Sequence, residues 1–149
     1  MTKNEVEKKL EKYKKQIFNR EQIREIRYEL ENGVDVSIYA KPEFNWKQMW
    51  MIREGLEAGV DVSKYAKPKF NNMQMSEIRW GLEKGVNVNK YANPKFSWTQ
   101  MSEICLGLES GIDVSKYANP KYTWRQMKQI REDFKKNKEK EKTTPELEI

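Results

Sequence analysis

An aromatic residue returns every 26 positions along this chain: Phe18, Phe44, Phe70, Phe96 and Tyr122. Each opens one copy of a unit legible as F-N-W-x-Q-M-x-x-I-R-x-G-L-E-x-G-V-D-V-S-K-Y-A-x-P-x. Four copies are complete, at 18–43, 44–69, 70–95 and 96–121, and a fifth stops after its first half, at 122–134. A fixed period between about 20 and 50 residues is the signature of an array in which each unit buries its apolar face only against its neighbours. The expectation is therefore an all-α chain, an α-solenoid of four and a half 26-residue repeats.

Counting each aromatic as position 1, position 2 is Asn19, Asn45, Asn71, Ser97 or Thr123, all good helix N-caps. Gln22, Gln48, Gln74, Gln100 and Gln126 follow three residues later, the spacing of a capping box. The aromatic and position 6 (Ile23, Met49, Met75, Met101, Met127) then stand at the two ends of a hydrophobic staple. Isoleucine at position 9 and Leu30, Leu56, Leu82, Leu108 or Phe134 at position 13 continue one apolar stripe. Gly33, Gly59, Gly85 and Gly111 at position 16 supply the left-handed residue that ends a helix. Asp35, Asp61, Asn87 and Asp113 then cap a second, one-turn helix, closed by Pro42, Pro68, Pro94 and Pro120.

Gly55, Gly81 and Gly107 at position 12 fall inside the long helix, where glycine costs about 1 kcal/mol relative to alanine. They are expected to mark close approaches between neighbouring helices. Glu29 and Asp133 replace them in the first and fifth copies. Residues 1–17 carry Val6, Leu10, Tyr13 and Ile17 at helical spacing, as an N-terminal capping helix would. Residues 135–149, a Lys/Glu run without apolar anchors ending in Thr143, Thr144 and Pro145 and their followers, read as a charged, flexible tail beyond the array at 18–134.

The string at 100–122, QMSEICLGLESGIDVSKYANPKY, with its relatives at 48–70 and 74–96, resembles short helical repeats without an assigned activity. Those repeats occur in proteins of Gram-positive gut bacteria, their phages and mobile elements. The resemblance covers 18–134 and implies an array-forming unit, with a phage or mobile-element adaptor or inhibitor of a host protein as one possible use. Position 24, acidic in the resembled repeat, is here Lys41, Lys67, Asn93 or Asn119.

Composition narrows the chemistry. The chain has no histidine and one cysteine, Cys105, so the usual zinc ligands and a histidine general base are missing. A lone cysteine fits a reducing compartment, no apolar leader opens the chain, and no stretch reaches the roughly 18–20 apolar residues of a membrane span. A cytoplasmic, non-enzymatic protein without cofactor or metal is expected. The net charge of +6 sits mostly in the flanks: residues 1–17 hold six Lys against three Glu, while the copies hold 18 basic and 16 acidic groups.

Positions that recur in every copy should hold the array together, leaving those that differ free for recognition. Trp46, Trp98 and Trp124 share position 3, and Arg27, Arg53, Arg79 and Arg131 share position 10, where Cys105 is the exception. Trp and Arg dominate binding hot spots, so this ladder is one candidate protein surface. Its plainer reading is scaffold, each Trp lying on the preceding Tyr-Ala-x-Pro segment. Met73, Trp80 and Leu106 occupy positions that hold Glu21, Lys47, Glu54 and Glu132 in other copies, although Tyr28 in the first copy is also aromatic; flanked by Trp50 and Met51, they form the second candidate. The alternative function is nucleic-acid binding along Lys64, Lys69, Lys90, Lys95, Lys116 and Lys121 on the short-helix edge. A solvated edge is the plainer reading there too. Cys105 reads as a surface or boundary thiol, and no carboxylate pair stands out.

Overall fold

A computed structural model of the chain describes residues 1–147. Among these the fold is all-helical, with no strand. Six α-helices follow one another: α1 (Lys3–Lys14), α2 (Arg20–Glu31), α3 (Trp46–Glu57), α4 (Asn72–Glu83), α5 (Trp98–Glu109) and α6 (Trp124–Leu147). Helices α2 to α5 each have 12 residues, about 18 Å. The chain divides into two compact units, Met1–Met75 and a second from Ser76 onward.

The N-caps expected from the sequence form in all five copies. Asn19, Asn45 and Ser97 form reciprocal capping boxes with Gln22, Gln48 and Gln100. Asn71 with Gln74, and Thr123 with Gln126, make the same two bonds. The glutamine does more than cap. Gln48 Nε2 also donates to the carbonyls of Pro68 and Phe70, at 3.3 and 2.7 Å, and Gln100 Nε2 to those of Pro120 and Tyr122, at 3.1 and 2.6 Å. One side chain thus starts its own helix and ties down the entry to the next copy.

Helix ends follow the same economy. The position-16 glycines have φ between 70° and 76°, reachable by glycine without strain. Gly59 N–H donates to Leu56 and Val60 N–H to Gly55, the paired bonds of a Schellman motif. Asp61, Asn87 and Asp113 then cap one-turn 3₁₀ helices at Val62–Lys64, Val88–Lys90 and Val114–Lys116. The first copy forms only a turn there, with Asp35 accepting from Ser37 N–H at 3.0 Å.

The position-12 glycines do mark close approaches, and the nearest atoms belong to the one-turn helix of the same copy and the tyrosine that ends it. A Cβ on Gly55, Gly81 or Gly107 would lie 1.9 Å from the hydroxyl of Tyr65, Tyr91 or Tyr117 in the same copy. That tyrosine lies across its own long helix and donates to the position-8 carbonyl: Tyr65 to Met51 at 2.7 Å, Tyr91 to Glu77 at 2.8 Å, Tyr117 to Glu103 at 3.0 Å. All three tyrosines are fully buried.

In the first unit α1 packs on α2 and α2 on α3; in the second α5 packs on α6. Val6, Leu10 and Tyr13 of α1 are buried as expected. Ile17 is not: α1 ends at Lys14, and Ile17 lies beyond the cap, 92% exposed. At the other end the stretch read as a flexible tail continues α6 as far as Leu147, with Lys138 Nζ donating to Gly111 O at 2.9 Å. Residues 148–149 lie outside the described residues.

Candidate protein-interaction surface

Position 10 is the hinge between scaffold and surface. Arg53 of α3 reaches back to α2, its Nε 2.8 Å from Glu29 Oε1 in an ion pair not aligned as a hydrogen bond. Its Nη1 also holds Glu57 of its own helix, at 2.7 Å. Arg131 of α6 donates to Glu103 of α5 at 2.9 Å, both side chains largely covered. Arg27 of α2 pairs with Glu7 of α1. Three arginines therefore tie consecutive helices together, and Arg53 and Arg131 stand inside the packing rather than as free surface cations.

Trp46, Trp98 and Trp124 are the first residues of α3, α5 and α6, each about two-fifths exposed. Lys47 sits 5.7 Å from the Trp46 ring centroid and the Arg125 guanidinium 5.2 Å from that of Trp124. The tryptophans are thus at the surface, Trp46 and Trp124 each with a cation from its own helix, while Arg27, Arg53 and Arg131 belong to helix–helix ties.

The copy-variable apolar residues are also outside. In the first unit Trp50 and Met73 are exposed and Met51 half-buried. Trp50 Nε1 donates to Glu54 at 2.6 Å, and the Arg53 guanidinium lies 5.2 Å from its ring. In the second unit Trp80 is 48% and Leu106 38% exposed. These two line one cleft of about 190 Å³ with Glu77, Ser102 and Cys105. Trp80 Nε1 donates to Glu109 at 3.2 Å, and Lys84 Nζ lies 4.6 Å from its ring.

Of the lysine edge, Lys69, Lys90, Lys95, Lys116 and Lys121 are exposed and Lys64 half-buried. Lys69 lies over Phe70 and Lys121 over Tyr122. Asp61 feels Lys64, and Asp113 feels Lys116 and Lys90, so acids are interleaved along this edge.

Two features escaped the sequence reading. Cys105 is buried, not a surface thiol, and burial pushes its thiol up to about 11, so it is inert as a nucleophile. The first unit holds an acidic pair on α2: burial raises both Glu25 and Glu29 above the ordinary carboxylate range, against the pull of Arg53. Position 8 is glutamate in three copies (Glu25, Glu77, Glu103), an internal signal that could have pointed to them. Among the described residues no group of three or more His, Cys, Asp or Glu side chains could hold a metal ion, and no helix is long and apolar enough to cross a membrane. No protein-family model matches the chain, and no curated protein or solved structure matches it either.

Proposed function

We propose that the chain is a non-enzymatic, cytoplasmic protein-binding module whose 26-residue units stack as an α-solenoid of four and a half repeats. Its support is a division of labour along each copy. Recurring positions such as Ile78, Val88 and Tyr91 are buried, whereas Trp50, Met73, Trp80 and Leu106 stand exposed where other copies carry mostly polar or charged residues. Large aromatic and aliphatic side chains held on rigid helices are what protein hot spots are made of. The narrower form, a phage or mobile-element adaptor or inhibitor of a host protein, rests on the sequence resemblance alone.

The test is capture from a native lysate, with and without nuclease, at two salt concentrations. A protein partner should survive both nuclease and salt. Capture of nucleic acid alone, falling steeply with salt, would overturn the reading in favour of the lysine edge. The stacking is tested by small-angle scattering. A stacked array should exceed the radius of gyration of about 15 Å expected for a globular chain of this length. A value near 15 Å would end it.

A further inference from the structure

Cys105 stands where the other copies place an arginine, and the acid that such an arginine would meet is still present. Arg131, at position 10 of the fifth copy, pairs with Glu103, at position 8 of the fourth. The corresponding acid for the fourth copy is Glu77, with Cys105 in the arginine's place. Cys105 Sγ makes a weak contact with Glu109 Oε1, at 3.7 Å, and meets the Tyr91 hydroxyl, but it offers Glu77 no cation. Burial raises the Glu77 carboxyl, and among the described residues no cation draws it back down. Lys84, the nearby cation, lies on the Trp80 ring instead. What remains is the cleft of about 190 Å³ between Glu77, Ser102 and Cys105, with Trp80 and Leu106 on its rim. A water's share of liquid volume is about 30 Å³, so the space exceeds a hydration site.

Building on the protein-binding reading, we infer that this cleft receives an arginine from a partner protein, at the place where sibling copies insert their own. The chemistry is complementary throughout. A guanidinium is planar and weakly hydrated, stacks on aromatic faces and pairs with carboxylates. The chain already joins these features around Arg53, which lies against Trp50 and pairs with Glu29. In the cleft the same parts are present without the cation: the Glu77 carboxylate as acceptor, the Trp80 ring as wall, and Leu106 to exclude water. Binding would favour the ionised form of Glu77, which burial disfavours.

The direct probe is the peptide acetyl-Gly-Arg-Gly-amide, titrated into the whole protein and followed by NMR at the Trp80 indole N–H and the Glu77 carboxyl. Both signals should shift saturably, and the carboxyl should titrate at lower pH in the presence of peptide. The citrulline peptide should bind about tenfold more weakly or worse, the loss expected of one charge-assisted contact. Glu77→Gln should show the same loss. Cys105→Arg should fill the cleft from within, lower the Glu77 titration without peptide, and abolish the peptide response. Equal binding of the arginine and citrulline peptides overturns the site. So does peptide binding undiminished in Cys105→Arg. A partner protein captured equally by wild type and Cys105→Arg overturns the arginine cleft while leaving the protein-binding reading intact. Self-association that Cys105→Arg abolishes would overturn the foreign partner and give the cleft to a second copy of the chain.

Discussion

At the scale of single residues, the pairing of a helix-interior glycine with a tyrosine hydroxyl is the most constrained contact in the repeat. Gly81→Ala should gain helix propensity worth at most about 1 kcal/mol. Its Cβ, however, would fall 1.9 Å from Tyr91 Oη and 2.8 Å from Val88 Cγ1, forcing the tyrosine off the Glu77 carbonyl. The net effect should be a loss of about 2–4 kcal/mol, from overpacking plus a broken buried hydrogen bond. Tyr91→Phe alone should cost about 0.5–1.5 kcal/mol. The double variant should lose less than the two singles together, because the phenyl ring clears the worst overlap. Denaturant unfolding of the three variants checks this, and strict additivity would contradict it. The first copy shows the natural alternative: Glu29 takes the glycine's place, and the buried Tyr39 hydroxyl has no hydrogen-bond partner among the described residues. A second comparison separates scaffold from surface. Ile78→Ala, at a fully buried position, should cost roughly 2–5 kcal/mol of stability. Trp80→Ala should leave folding within about 1 kcal/mol. It should weaken partner binding by about 1–2 kcal/mol or more, as hot-spot truncation does. Trp80→Ala that unfolds the protein and spares binding would make Trp80 core.

At the scale of elements, what was legible in the sequence is what repeats within one copy. Cap and C-terminal glycine are local signals, each read several times over, and both are in the structure. The ties between helices were hidden because their partners lie in different copies and change position. Arg131 meets an acid 28 residues back, Arg53 one 24 residues back, and Arg27 one in the capping helix. What the position-12 glycines meet, the tyrosine and valine of their own copy, is hidden for a related reason. A missing side chain says that something comes close without saying what. The acidic pair on α2 has a consequence for pH. Glu25 and Glu29 are raised by burial, so the folded first unit holds protons more tightly than the unfolded chain. That contribution is complete below the ordinary carboxylate range and is lost as pH rises through the raised values. Thermal melts between about pH 5 and pH 8 should therefore show stability falling with pH. Glu25→Gln, which removes the buried ionisation, should raise the melting temperature at the upper end and flatten the slope. Glu77, also raised by burial, should preserve part of it. Glu7, held down by Arg27, and Asp35, Asp61 and Asp113, held down by hydrogen bonds from Ser37, Ser63 and Ser115, act in the opposite sense. Their contributions fail only as pH drops below the usual range, outside the window of the melts. An unchanged slope in Glu25→Gln would exclude the acidic pair as its source.

At the scale of the whole molecule, a repeat that buries itself only against its neighbours should lose stability locally when an end is damaged. Helix α1 covers one face of α2 with Val6, Leu10 and Tyr13, and Leu10 is fully buried. Leu10→Ala removes the centre of that cover and should cost roughly 2–5 kcal/mol within α1 and α2. Ile17→Ala, at a position 92% exposed, should cost almost nothing, although sequence periodicity placed both residues on one stripe. The informative measurement is hydrogen exchange resolved along the chain. In Leu10→Ala the amides of α1 and α2 should lose protection first and most. Those of α5 and α6 should stay near wild type, because Arg131–Glu103, Gln100 and the Lys138–Gly111 bond hold that end independently of α1. A uniform loss of protection across both units would mean that the chain unfolds as one cooperative block. Nearest-neighbour burial, the property on which the 26-residue period was read as a stacked array, would then be the wrong account of its stability.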